Sequence, residues 1–168
     1  MVLFAEAIAA RDGLSMVDTT KDSLDLGPLF ENWEVANVCS FANADTVVYR
    51  VPPANIRSNI VECLEVITSP VINENSIDEC FEKEKRAICK NAAQNVKFHL
   101  LKKDSDEIIY YYSYPTSKSH HTEVARILIG NQGSYSIHYQ HESAENMEKK
   151  NVLQWAKQLQ VIKIANKA

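Results

Sequence analysis

From Lys97 to His141 the chain keeps a two-residue rhythm, and no other feature restricts its folding so tightly. A period of two sends successive side chains to opposite faces of a strand, so one face can meet a core while the other meets water. Phe98-His99-Leu100-Leu101 predicts one strand, and Asp104-Ser105-Asp106 supplies turn chemistry. Ile108-Ile109-Tyr110-Tyr111-Tyr112-Ser113-Tyr114 is the most β-prone run, and Pro115 ends it. After a polar stretch over 116–121, Val124-Ala125-Arg126-Ile127-Leu128-Ile129 predicts a third strand. Gly130-Asn131-Gln132-Gly133 then folds the chain back into a fourth strand over 134–141. In that strand Tyr135, Ile137 and Tyr139 share one face, while Ser134, Ser136, His138 and Gln140 share the other. The expectation is a four-stranded antiparallel meander with one covered and one wet side.

Upstream, Trp33 to Phe41 alternates, Asn43-Ala44-Asp45 suits a turn, and Thr46 to Val51 is β-branched and aromatic, which predicts a β-hairpin. Pro52-Pro53 stops it. Ile56, Ile60, Cys63, Leu64 and Ile67 then follow at helical spacing, so a helix is expected there. A second helix is signed by the capping box Ser76-Ile77-Asp78-Glu79 and by an apolar stripe of Ile77, Phe81, Ile88, Ala92 and Val96. Its charged residues read as a solvated face. A third helix is expected after Ser143, a natural cap, through Met147, Val152, Trp155, Ala156, Leu159 and Ile162.

These elements predict an α+β fold: an antiparallel sheet of five to six strands, the N-terminal hairpin plus the meander. An α-helical hairpin and the C-terminal helix pack on one face of it. Residues 1–32 read as a partly helical lead-in, with a short amphipathic helix over 1–10 that lacks the basic start of an export signal. Residues 33–168 read as one domain.

Several function classes recede on composition. With 45% hydrophobic and 24% charged residues the chain can close a core, which excludes general disorder. A net charge of −4, mixed in sign, lacks the basic patch that nucleic acid requires. Four glycines without a phosphate-cradling spacing give no nucleotide or other cofactor fingerprint. No apolar stretch is long enough to span a bilayer.

Cys39, Cys63, Cys80 and Cys89 are even in number and contain no CxxC. Cys80 and Cys89, about 13 Å apart along one helix, cannot bond to each other. A helical hairpin turning over 69–75 would set Cys63 against Cys80, a bridge worth about 3 kcal/mol, and leave Cys39 for Cys89. Oxidised cysteines would place the protein outside the cytoplasm, periplasmic or secreted. Free thiols filling space would favour a cytosolic one.

His120, His121, Glu123 and His138 carry the donor types of a zinc site, which would permit a metal-dependent hydrolase. Adjacent strand residues face opposite ways, which weakens the pairing of His120 with His121. There is no nucleophile elbow, and Cys63 lies on an apolar stretch. The expectation is therefore a non-catalytic protein-binding domain acting as an exported accessory factor, with a small acidic cytosolic adaptor or secretion chaperone as the alternative. The expected contact surfaces are the hairpin edge at Val47, Tyr49 and Val51 and the wet face at Ser136, His138 and Gln140. Pairing of that edge between two copies would give a homodimer.

Overall fold

The computed structural model describes residues 23–41, 44–51, 60–70, 76–92, 96–131 and 133–165. The expected helix over 1–10, the Pro52-Pro53 stop, Ile56 and the connection 71–75 lie outside them.

Seven strands form one antiparallel sheet: β2 (Glu34–Phe41), β3 (Ala44–Arg50), β4 (Val61–Pro70), β5 (Lys97–Lys103), β6 (Glu107–Pro115), β7 (His120–Ile129) and β8 (Gly133–Ser143). Their order across the sheet is β2-β3-β4-β8-β7-β6-β5. The hairpin and the four-stranded meander stand as their alternation predicts. A separate two-stranded ribbon joins β1 (Ser23–Asp25) to β9 (Lys163–Ala165).

The stretch expected to form the first helix is β4, and this corrects the helical hairpin. β4 pairs with β3 on one side and with β8 on the other, Val61 opposite Glu142 through to Pro70 opposite Gly133. Leu64 and Val66 point to one core, while Cys63, Glu65 and Ile67 point to the opposite face. Because both faces of this central strand are covered, apolar residues occupy both parities and mimic a helical spacing.

Consequently the helices α1 (Ile77–Ala92) and α2 (Lys149–Val161) lie on opposite faces of the sheet rather than together on one. α1 starts with the expected reciprocal cap: Glu79 N–H donates to Ser76 Oγ at 3.3 Å, and Ser76 N–H donates to Glu79 Oε2 at 3.2 Å. It covers Ile108, Tyr110, Tyr112, Ala125 and Ile127. α2 begins later than expected, with Glu148 before its first turn, because Ser143 ends β8 and its hydroxyl donates to the Glu145 carbonyl. Val152, Ala156 and Leu159 of α2 close the larger core over Leu64, Ile137 and Tyr139. Trp155 stacks on Tyr139 with ring centres 3.6 Å apart. Phe30, 3% exposed, inserts beside Trp33 and Trp155 and seats the segment before β2.

A buried arginine ties α2 to the sheet. Arg126 Nε donates to Glu107 Oε1 at 2.6 Å, and its Nη1 donates to the carbonyls of Leu159 and Ile162. These lie at the end of α2, where a cation complements the helix dipole.

Both expected disulfides fall with the helical hairpin, and all four cysteines are free. Cys63 stands opposite Gln140 on β8, whereas the thiol of Cys80 on α1 is hydrogen-bonded to Ser134. Six strand positions separate Ser134 from Gln140, about 20 Å and far beyond bonding reach. Cys39 lies on edge strand β2 and Cys89 on α1. α1 packs over β6 and β7, and β7 is four strand spacings, about 19 Å, from β2. No helix among the described residues is long and apolar enough to cross a membrane.

Candidate functional site

The face expected to be wet is roofed by α1, and under that roof the sheet buries charge. Glu123 of β7 and His138 of β8 lie on strands that are direct neighbours, Glu123 opposite Gln140 and Ala125 opposite His138. Strand alternation turns both side chains toward α1. Glu84 meets them from the helix, three residues after Phe81 and four before Ile88, on the stripe that α1 presents to the sheet.

His138 sits between the two carboxylates. Its Nδ1 donates to Glu123 Oε1 at 2.5 Å, and its Nε2 lies 3.7 Å from Glu84 Oε2. The second separation gives Coulomb attraction but is too long for a good hydrogen bond, and Nε2 is buried with no nearer partner. Tyr110 OH donates to Glu84 Oε2 at 2.6 Å, and Ser136 Oγ donates to Glu84 Oε1. His121 Nε2 stands 3.3 Å from Glu123 Oε2, and Tyr112 also hydrogen-bonds Glu123. Glu123 and His138 are 4% and 5% exposed, so this is an interior ionic network.

Burial disfavours every charge here, yet for His138, Glu123 and Glu84 mutual attraction outweighs it. For His138, burial acts to lower the proton affinity, but Glu123 and Glu84 raise it well above its ordinary 6.5. For Glu123, burial acts upward while the His138 charge and the bonds from His121, His138 and Tyr112 carry it down to about 2. Glu84 is likewise lowered against burial, by His138, Ser136 and Tyr110. Glu65 is raised, first by burial and then by Glu123 and Glu84 nearby. The Cys63 thiol is pushed up to about 11 by burial and by the Glu65 and Glu123 charges, and it donates to Gln140 Oε1 at 3.3 Å.

Beside this network lies a cavity of about 300 Å³ between α1 and the sheet. Glu65, Glu84, Glu123 and His138 give it a charged wall, and the rings of Tyr112 and Tyr114 stack beside it with centres 6.3 Å apart. Ile67, Ala87 and Ile88 line the apolar side, and Asn91 and Ala92 bring the C-terminal, electronegative end of α1 to the rim.

The expected metal cluster is only partly assembled. His121, Glu123 and His138 do meet, but both imidazoles are directed at the oxygens of Glu123 rather than at a common point. His120, of opposite parity on β7, faces the α2 side with its Nδ1 unpartnered. Among the described residues no three ligating side chains are placed to hold a metal ion.

The expected contact surface also moves. Val47 and Tyr49 lie on β3, which is hydrogen-bonded on both sides, and Val51 directly follows that strand. The outer strands of the large sheet are β2 and β5. Ser136, His138 and Gln140 do share one face, but as parts of the network and cavity. Gln140 Nε2 donates to Glu65 Oε2 at 3.2 Å. Glu84 was not legible as a site residue among the charges of α1, although its spacing from Phe81 and Ile88 puts it on the apolar stripe.

No family model matches the chain, and no curated protein matches it.

Proposed function

We propose that the protein is a non-catalytic binding domain, a small acidic adaptor of a reducing compartment, and that the cavity under α1 receives a segment of a protein partner. One observation carries this: His138 lies between Glu123 and Glu84, at 2.5 and 3.7 Å, and their charges raise its proton affinity well above the ordinary value. A general base must release its proton near the working pH, and a nucleophilic thiol must ionise there. His138 and Cys63 are pushed away from both roles, so the polar groups of the cavity are built to hold a ligand rather than to transform one. Four free thiols, with Cys39 and Cys89 exposed, support the reducing compartment and leave the exported version without its bridge.

The test is to select peptides from a random library on the immobilised protein and map them by amide chemical shifts. Binders are expected to perturb Glu65, Tyr114 and Gln140 and to weaken on Gln140→Leu. Binders that map only to other surfaces would overturn the cavity assignment. Turnover of model esters or phosphoesters that vanishes in His138→Gln would overturn the non-catalytic reading.

A further inference from the structure

The two outer strands of the large sheet, β2 and β5, are built in opposite ways. An outer strand presents unpaired backbone N–H and C=O groups, a template for a further strand, and lysine on the strand is one device that blunts it. β5 carries Lys97 at one end and Lys102 and Lys103 at the other, so a second copy paired antiparallel there about Leu100 would set Lys97 against Lys103. β2 has no such guard. It reads Glu34-Val35-Ala36-Asn37-Val38-Cys39-Ser40-Phe41, with its one charge at the start and neither lysine nor proline. Residues 36–40 are exposed, and Val38 is 49% exposed although it stands opposite Val47, which packs on the larger core.

We infer that β2 is the surface on which a second copy of this chain docks, strand against antiparallel strand about a two-fold axis at Cys39. The ladder of β2 with β3 slips between Val35 and Asn37 and is regular from Asn37 to Phe41. Cys39 is the midpoint of that regular stretch, so an axis there matches Asn37 with Phe41 and Val38 with Ser40 of the other copy. A two-fold interface must be self-complementary. β2 meets that condition because no charge opposes its like, and its neutral stretch gives a charged foreign strand nothing to recognise. Val38 of each copy leaves solvent for the seam, beside Val47 and the core. The assembly closes at two, since each copy uses its β2 edge and only the lysine-bearing β5 edge of the large sheet is left. A seam of five residues per strand is a small, transient interface, under about 1,200 Å² in total. The pairing does not depend on the cavity under α1.

The test is sedimentation equilibrium of the full chain under reducing conditions, from about 1 μM to about 1 mM, where the mass is expected to rise from one chain toward two and no further. Val38→Lys gives β2 the guard that β5 has and is expected to weaken dimerisation about tenfold or more, with its fold checked by amide spectra. Leu100→Lys, at a residue 52% exposed on β5, is expected to leave the dimer unchanged. Mild oxidation of the wild-type chain by copper phenanthroline is expected to cross-link Cys39 to Cys39 of the other copy well before Cys89 to Cys89, as mass spectrometry resolves. Opposed residues of antiparallel strands hold their Cα atoms about 4.5–5.5 Å apart, within disulfide reach. The cross-link needs no variant, so it decides even where Val38→Lys fails to fold.

The mass of a single chain at every concentration would overturn the dimer. Loss of the dimer in Leu100→Lys but not in Val38→Lys would overturn its assignment to β2. Growth past two chains would overturn the closed pairing, and a dimer without the Cys39 cross-link would overturn the axis.

Discussion

His138 and Glu123 meet inside the protein at 2.5 Å, Nδ1 to Oε1, on adjacent strands of a sheet that has a helix over each face. Charges so placed survive burial only as a set, since each lone ion would lose several kcal/mol of hydration. Glu84 completes the set from α1 and so links the position of that helix to the ionisation of the sheet.

Stability should peak in a defined pH window. His138 gains proton affinity on folding, so its contribution is complete below its ordinary 6.5 and is lost as pH rises through the elevated folded value. Glu123 loses proton affinity, so its contribution is complete above its ordinary 4.5 and fades as pH falls through about 2. Glu84 acts in the same direction as Glu123. Urea midpoints measured across pH are expected to be highest between those ordinary values and to fall on both sides. Stability still rising from pH 6.5 upward would contradict the pairing.

Replacing the imidazole should expose the two acids to each other. His138→Leu leaves Glu84 and Glu123 buried without their cation and is expected to cost about 3–5 kcal/mol at neutral pH. The loss should shrink in acid, where the carboxyls become neutral. Urea unfolding at two pH values checks both points, and a loss independent of pH would point to packing alone.

Arg126 should matter as much from the other face. Arg126→Ala leaves the Leu159 and Ile162 carbonyls without their donor and takes one of two cations from the buried Glu107, whose other oxygen keeps Lys102, for an expected loss of about 3 kcal/mol. Arg126→Ala combined with Glu107→Leu should recover part of it. A double-mutant cycle in urea measures the coupling.

Thiol chemistry should separate the cysteines. All four are expected to titrate in denatured, unreduced protein. In the native state Cys39 and Cys89 should react with a maleimide well before Cys63, whose thiol is partly buried and held at about 11. Mass-resolved labelling would detect early modification of Cys63, which would contradict its placement.

What could be read in advance was what is local. The Ser76–Glu79 cap and the strands of the meander follow from neighbours a few residues apart, and Tyr135, Ile137 and Tyr139 reach one core as their alternation implies. β4 escaped because a strand covered on both sides carries apolar residues at both parities, as Leu64 and Ile67 do. With it went the helical hairpin and the Cys63–Cys80 bridge. The site was half legible: Glu123 and His138 were singled out for their chemistry, but only tertiary structure brings Glu84 to them across 39 and 54 residues of chain. The stacking of Trp155 on Tyr139 depends on long-range packing in the same way.

The protonation of His138 measures the central claim most directly. Nitrogen-15 spectra of imidazole-labelled protein should show both ring nitrogens protonated at pH 6.5, with no transition near that ordinary histidine value. A neutral ring at pH 7, with Nε2 unprotonated and titrating near 6.5, would contradict the locked imidazolium and return the cavity to acid–base chemistry.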